Sequence, residues 1–350
     1  MKKRVLLGMS GGVDSSVSAI LLQEQGYEVI GVTMKLYEEE IEESCCNNDS
    51  ALDAKRVCDY LQIPHYTVNY KEEFEKNVIQ DFIKNYKRCK TPNPCIECNK
   101  YLKFGKLYQT ALELQCDYIA TGHYANIEYD EKYHKSMLKK ARAIEKDQSY
   151  VLYGIPQQIL DKIILPLGNF NNKEEIREIA RSHNLPVANK PDSEDICFIP
   201  HGNYKEFLEN RGVTQKPGDI VLNNGEVVGK HNGLYNYTIG QRRGLGVAYE
   251  VPLFVIDFNK EKNQVIVGRE EELYKKEIIV DSVNWLYDIE LPSKVATKIR
   301  YSKKEAESII EKLEDGKIKV TFEEPQRAPT PGQSAVFYIE DVVIGGGKIV

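Results

Sequence analysis

From residue 4 to residue 120, short apolar runs of strand length alternate with stretches whose apolar residues recur at helical spacing, and few folds accommodate that order. Arg4–Gly8 and Glu28–Met34 read as buried strands. Between them Val13, Val17, Ile20 and Leu21 fall on one helix face, closed by Gly26. Ala54, Val57, Cys58 and Leu61 repeat the helical period before Pro64, and His65–Asn69 is the next strand. Phe74, Val78 and Phe82, then Phe104, Leu107, Tyr108 and Ala111, predict two more helices ahead of a strand at Asp117–Ala120. Such alternation predicts an α/β fold, a parallel sheet with helices on both faces.

Past about residue 200 the period changes. Asn203–Gly212 reads as a helix, and Asn223-Asn224-Gly225 between Ile220–Leu222 and Glu226–Val228 is a hairpin signal. Phe254–Phe258 and Gln264–Gly268 flank another turn. Strands at Ile278–Trp285, Val295–Tyr301, Lys317–Phe322, Ala335–Ile339 and Val342–Ile349 predict a small C-terminal β-barrel. The expected division is 1–200, 201–275 and 276–350, and the 350-residue length suits three domains with cores of their own.

No apolar run approaches membrane length, and the opening MKKRVLLG is too short for a signal peptide, so a cytoplasmic protein is expected. In a reducing compartment the eight cysteines are core residues, metal ligands or redox thiols rather than a disulfide framework. The net charge of −6 argues mildly against nucleic acid. Locally, however, Lys84, Lys87, Arg88, Lys90, Lys100, Lys103 and Lys106 stand against one acid, Glu97.

The chemistry-bearing segments sit where strands end. Gly8-Met9-Ser10-Gly11-Gly12-Val13-Asp14-Ser15 joins the first strand to the first helix. Its glycines allow close backbone approach, its serines add hydroxyls, and unpaired helix-start amides favour phosphate. It ends in no Gly-Lys-Ser/Thr and lacks GxGxxG spacing, so neither a Walker loop nor a dinucleotide fingerprint is present. Ligands gather at the carboxyl ends of parallel strands, which makes Met34 and Gly122 candidate adenosine contacts. Thr91-Pro92-Asn93-Pro94-Cys95-Ile96-Glu97-Cys98 carries a CxxC, expected on a loop because of its two prolines. Near Lys100 and Lys103 its thiols should be acidified. Structural zinc needs four ligands, and no second CxxC or paired His accompanies this one. On its own Cys197, between Ile196 and Phe198, reads as a buried core thiol, and Asp147-Gln148-Ser149-Tyr150 as a helix cap or as a polar edge for single-stranded RNA.

In order along residues 8 to 338, SGGVDS, TPNPCxxCN, ATGHY, KDQSY, DSEDICFI, YTIGQRRGLG and EPQRAPTPGQSAVFY resemble the tRNA-specific 2-thiouridylase family of the PP-loop ATP pyrophosphatases. The resemblance implies a PP-loop ATP domain, then a small central domain and a C-terminal β-barrel that both help hold tRNA. By matched position it makes Cys98 the catalytic nucleophile and Cys197 the persulfide carrier. It assigns ATP to Gly8–Ser15, Met34 and Gly122, and the target base to Asn93, Pro94 and Cys95. His123, Lys146, Asp147, Gln148, Arg300, Tyr301 and Gln333 would meet tRNA. ATP and Mg2+ are the implied cofactors; a tRNA with a wobble uridine and a persulfide donor, a cysteine desulfurase or relay protein, are the implied partners. Cys95 stands where the family has aspartate. An alternative follows: Cys95, Cys98 and Cys197 could ligate an iron–sulfur cluster that supplies the sulfur. A nitrogen-transferring PP-loop ligase would explain the loop without the cysteines, and a non-catalytic RNA-binding protein the basic segment without the loop.

Overall fold

The computed structural model of the chain describes residues 2–37, 48–191, 196–199 and 202–350. Two compact units make it up. The first comprises 1–79, 94–202 and 341–343, the second 80–93, 203–340 and 344–350.

The first unit is built on a five-stranded sheet in the order β3-β2-β1-β4-β7. Its strands are β1 (Arg4–Gly8), β2 (Glu28–Lys35), β3 (His65–Asn69), β4 (Tyr118–Ala120) and β7 (Ile163–Ile164), and every pairing is parallel. Val5, Leu6 and Leu7 have no exposure at all, as a central strand covered on both faces requires. Helix α1 (Val13–Glu24) crosses from β1, ends beside Gly26 at φ +87°, and buries Val13, Val17, Ile20 and Leu22 in the core; α2 (Asn48–Tyr60) adds Ala54, Val57 and Cys58. An antiparallel hairpin, β5 (Asn126–Asp130) and β6 (Lys135–Lys139), follows β4; neither it nor β7 was expected from the sequence.

Two further helical stretches depart from α-geometry. After α3 (Lys71–Phe74) the chain winds as a π-helix over Glu75–Ile79; α4 (Gln80–Tyr86) opens the second unit. Helix α5 (Pro94–Cys98) runs on as a π-helix over Asn99–Lys106 into α6 (Leu107–Glu113). The two cysteines of the CxxC therefore lie in a helix, not on the expected loop. The prolines did not forbid it, because Pro94 occupies the first helical position, where its fixed φ fits and its missing N–H costs nothing. Helices α7 (Ser149–Leu152) and α8 (Lys173–Ser182) complete this unit.

In the second unit, α9 (Tyr204–Asn210) precedes a four-stranded sheet of β8 (Gly218–Leu222), β9 (Val227–His231), β10 (Phe254–Asn259) and β11 (Gln264–Gly268). The Asn223–Gly225 turn joins β8 to β9 as the sequence indicates, with Gly225 at φ +89°. Six antiparallel strands then close a barrel: β12 (Tyr274–Trp285), β13 (Ser293–Lys298), β14 (Ala306–Lys312), β15 (Ile318–Arg327), β16 (Ser334–Ile339) and β17 (Val342–Ile349), with β12 pairing to both β15 and β17. Strand β14 was not among the strands expected; its Ser308 and Ile310 turn inward in alternation with exposed neighbours. Among the described residues no helix is long and apolar enough to cross a membrane.

Candidate active site

The glycine loop is held from several sides. Met9 donates its N–H to Val32 O (2.8 Å), and Thr33 Oγ1 donates to Met9 O (2.9 Å), so β2 fixes the point where the loop leaves β1. Met9 and Val13 bury their side chains in the core and offer only backbone to a ligand. Ser15 Oγ bonds the Ser10 N–H at 3.3 Å, and the Ser15 and Ser16 hydroxyls donate to Gly12 O. Gly11 has φ +72°, and a Cβ there would stand 2.1 Å from Ser50 O. Gly122, two residues beyond β4, packs so close that a Cβ would meet Ser15 N at 2.9 Å. Glycine at 122 therefore admits the start of α1. Met34 is half-buried at the end of β2, outside the core.

Asp14 has two partners that the sequence did not reveal. Tyr124 donates its hydroxyl to Asp14 Oδ1 at 2.7 Å, and Lys173 Nζ reaches the same oxygen at 2.6 Å from the first turn of α8. A second lysine, Lys190, donates to Gly11 O at 3.2 Å and pairs with Asp53 Oδ2 at 2.8 Å. It ties the loop to α2 and to the segment that leads to Cys197. Tyr124 lies inside the ATGHY motif recognised in the sequence and Lys190 two residues before DSEDICFI; Lys173 lies near none.

Cys197 is half-buried. Its carbonyl accepts from Tyr37 Oη at 2.8 Å, two residues beyond β2. The neighbouring Phe198 is buried and meets Phe74 edge-on at 5.5 Å, while Phe74 lies against Tyr37 at 5.9 Å. Burying one such ring contributes about 1.5–3 kcal/mol, enough to pin the cysteine that precedes it at the carboxyl edge of the sheet. The adjacent residues 192–195 of DSEDICFI lie outside the described residues.

Cys98 is buried and Cys95 exposed, one turn apart on α5. Asn99 Nδ2 donates to Val151 O at 3.0 Å, fixing this helix to α7. A Cβ on Gly105 would be 3.0 Å from Lys100 O, five residues back, as π-winding brings it. Cys58 is buried and its thiol is pushed up to about 12, chiefly by burial, which makes it an inert core residue.

His123 is buried, and burial, then the Lys103 charge, holds its ring well below the usual histidine range. Lys103 Nζ lies 3.3 Å from Nε2 and can only donate, so Nε2 accepts and Nδ1–H donates to Thr121 Oγ1 at 2.7 Å. Asp147 is buried too: Oδ1 accepts from the Ala141 and Ser149 amides and Oδ2 from Ser149 Oγ, so its carboxylate shapes the turn. Gln148 is pinned by Tyr124 N–H (2.9 Å), while Lys146 is exposed. Thus the KDQ run presents its lysine and spends its acid on local structure.

The remaining residues belong to the second unit. Arg300 Nη2 donates to Ala328 O and Ile239 O, Tyr301 is 43% exposed, and Gln333 Nε2 donates to Thr91 O at 2.7 Å. Thr91 N–H also donates to Pro331 O. The start of the TPNP segment is thereby bolted to the loop 328–333, a link across 242 positions of sequence. Asn93 goes with the second unit, Pro94 and Cys95 with the first. The basic segment divides likewise: Lys84, Lys87, Arg88 and Lys90 in the second unit, Lys100, Lys103 and Lys106 in the first, where Lys106 pairs with Glu73 at 3.2 Å.

Among the described residues no three or more His, Cys, Asp or Glu side chains are gathered so as to hold a metal. Cys95, Cys98 and Cys197 do not form a three-thiolate cradle in this arrangement.

Three family models match in succession: a tRNA methyl transferase HUP domain over residues 3–201, a tRNA methyl transferase PRC-barrel domain over 205–269, and an aminomethyltransferase beta-barrel domain over 275–349. The tRNA-specific 2-thiouridylase MnmA of Halothermothrix orenii is 49% identical over 354 residues, taking in 99% of this chain and 98% of the relative. That of Acetivibrio thermocellus is 48% identical over 357 residues, 99% of each chain. Among solved structures, the U34-tRNA thiolase NcsA of Methanococcus maripaludis, described with its 4Fe-4S cluster, aligns at a TM-score of 0.36 and 20% identity over 59% of this chain and 64% of its own, a likeness too slight to carry the cluster over.

Proposed function

Because the chain belongs to the tRNA-specific 2-thiouridylase family, we propose that it is a tRNA-uridine 2-sulfurtransferase, replacing the C2 oxygen of a wobble uridine with sulfur at the expense of ATP. The observation that carries this reading is the common edge: the glycine loop follows β1, and the Cys197 backbone is tied to Tyr37 just beyond β2, the neighbouring strand.

The C2 oxygen is a poor leaving group. Attack of that oxygen on the α-phosphorus of ATP forms an O–P bond and expels pyrophosphate, so the oxygen later departs as AMP. The amides and hydroxyls of Gly8–Ser15 receive the phosphates, with Met34 and Gly122 beside the adenosine. Mg2+ commonly binds through one carboxylate plus substrate phosphates, and Asp14 supplies such a carboxylate. When bound, the ion would offset charge on the departing pyrophosphate. Lys173, held at the loop by Asp14, is a protein cation that would face the phosphates once the ion engages that carboxylate.

For sulfur delivery, the terminal sulfur of a Cys197 persulfide attacks C2 and AMP leaves. The Cys98 thiolate then attacks the Cys197 sulfur. The old S–S bond breaks with its electron pair going to the uridine sulfur, leaving 2-thiouridine and a Cys98–Cys197 disulfide. An external dithiol reductant restores both thiols, and a sulfur-donating protein recharges Cys197. The uridine must be unstacked to reach this site, which an anticodon loop permits at least cost. Asn93, Pro94 and Cys95 lie beside Cys98 in sequence and would frame the base; His123, Lys146–Gln148, Arg300, Tyr301 and Gln333 would hold or position the tRNA. Methyl transfer, the chemistry in the domain label, requires neither an adenylating loop nor a thiol pair. Mass spectrometry of tRNA after incubation with protein, ATP and a persulfide donor tests the proposal.

A further inference from the structure

The YTIGQRRGLG segment has no part in the chemistry above, yet it is an ordered stretch of the second unit. Residues 238–253 contain no strand or helix. They are nevertheless fixed at several points. Gly240 N–H donates to Val255 O, and Val255 N–H donates to Gln241 O. The Gln241 side chain accepts from Thr238 N–H and donates to Arg243 O. Leu245 and Leu253 are buried with Val255 and Val267 in the core of the four-stranded sheet.

Gly240, Gly244 and Gly246 have φ of +88°, +75° and +67°. A Cβ on Gly246 would meet nothing within 4 Å, and one on Gly244 only Gln241 Nε2 at 3.8 Å. Glycine is needed at 244 and 246 for the backbone turn rather than for space. The turns hold the loop around an open cavity of about 620 Å³ that runs from Arg242 to Leu253.

On this frame Arg242 and Arg243 are both exposed. Some exposed arginines are engaged, Arg56 with Asp53, Arg181 with Glu174 and Arg211 over the Phe207 ring, while Arg88 and Arg142 stand exposed but singly. Arg242 and Arg243 make no such contact among the described residues. Two adjacent guanidinium groups on a backbone already ordered can bind successive phosphates with little entropy lost on binding.

We propose that the Arg242–Arg243 loop is a docking element for the phosphate backbone of the tRNA substrate, distinct from the residues that meet the target base. The inference rests on the tRNA reading above. Bare phosphate contacts carry no base information, so the loop contributes affinity and register alone.

The test compares wild type with Arg242→Ala/Arg243→Ala and with Arg242→Lys/Arg243→Lys, measuring tRNA binding across salt concentrations and single-turnover thiolation at saturating tRNA. The alanine pair should lower the log–log salt slope by about 1.4–1.8, for two phosphates at about 0.7 each on a single strand or 0.9 on a duplex. It should weaken binding at least tenfold and leave the saturated thiolation rate unchanged, while the lysine pair keeps most of the slope. An unchanged slope and affinity in the alanine pair, with wild type thiolating normally, overturns the docking role. So does a lysine pair that loses as much affinity as the alanine pair, which would mark a structural loop. If wild-type protein itself neither binds nor thiolates tRNA, the functional reading fails instead.

Discussion

Lys173 Nζ stands 2.6 Å from Asp14 Oδ1, joining the first turn of α8 to the nucleotide loop. The lysine side chain is only 12% exposed, and Tyr124 Oη binds the same carboxylate oxygen. The pair is formally neutral, so the Lys173 ammonium would face the departing pyrophosphate only once a metal ion engages the Asp14 carboxylate.

Lys173→Met should therefore slow tRNA-dependent pyrophosphate release by about 10²-fold or more, the usual loss when one preorganised electrostatic group is removed. Lys173→Arg should recover part of the rate. Release at the wild-type rate in Lys173→Met would reduce the contact to a helix anchor.

The loop should tolerate change unevenly. Gly11→Ala forces φ +72° on a residue with a Cβ and drives that atom onto Ser50 O. The strain alone costs about 1–3 kcal/mol. Gly12→Ala meets only Ser10 Oγ at 3.5 Å. Melting curves and ATP affinity should fall clearly for the first and slightly for the second; equal effects would mean that Ser50 yields.

Acid stability should carry the signature of His123. Folding moves this ring from a side chain that titrates near 6.5 to one that stays neutral well below that value, because of burial and then Lys103. Below about pH 6.5 the unfolded chain thus binds a proton the folded chain does not. Stability is full above that pH and falls as pH drops through it, by at most about 1.4 kcal/mol per pH unit for one such ring. His65, also held low chiefly by burial, acts in the same direction. Thermal midpoints at pH 7.5 and 5.5 should differ less in His123→Gln than in wild type. An identical drop in both would deny the buried neutral ring.

Iron content separates the two sulfur routes. With Cys95, Cys98 and Cys197 not gathered as ligands, anaerobically purified protein should hold no stoichiometric iron, and Cys95→Asp should retain thiolation from a persulfide donor. About four irons per chain, lost in Cys95→Asp together with activity, would favour the cluster.

The sheet was legible because a parallel strand buried on both faces is written as an unbroken apolar run, as at Val5–Leu7. The glycine loop was legible because its residues are contiguous. What the sequence concealed depends on distant pairs. Nothing around Lys173 announces that it meets Asp14, and nothing around Gln333 that it holds Thr91. The CxxC was put on a loop because Pro94 was read as a breaker when it serves as a first helical residue. His123 and Asp147 carried motif signals, but only burial reveals that both work through neighbours, Lys103 and Ser149.

The central claim is that Cys98 and Cys197 pass sulfur to a uridine activated by the glycine loop. Nucleoside mass spectrometry of tRNA incubated with ATP and a persulfide donor, under single-turnover conditions, tests it most directly. Wild type should convert a wobble uridine to its oxygen-to-sulfur exchange product. Cys98→Ala and Cys197→Ala should each give none, while still releasing pyrophosphate in the presence of tRNA. Full conversion by either cysteine variant, or an unmodified uridine with the wild type, would contradict the account.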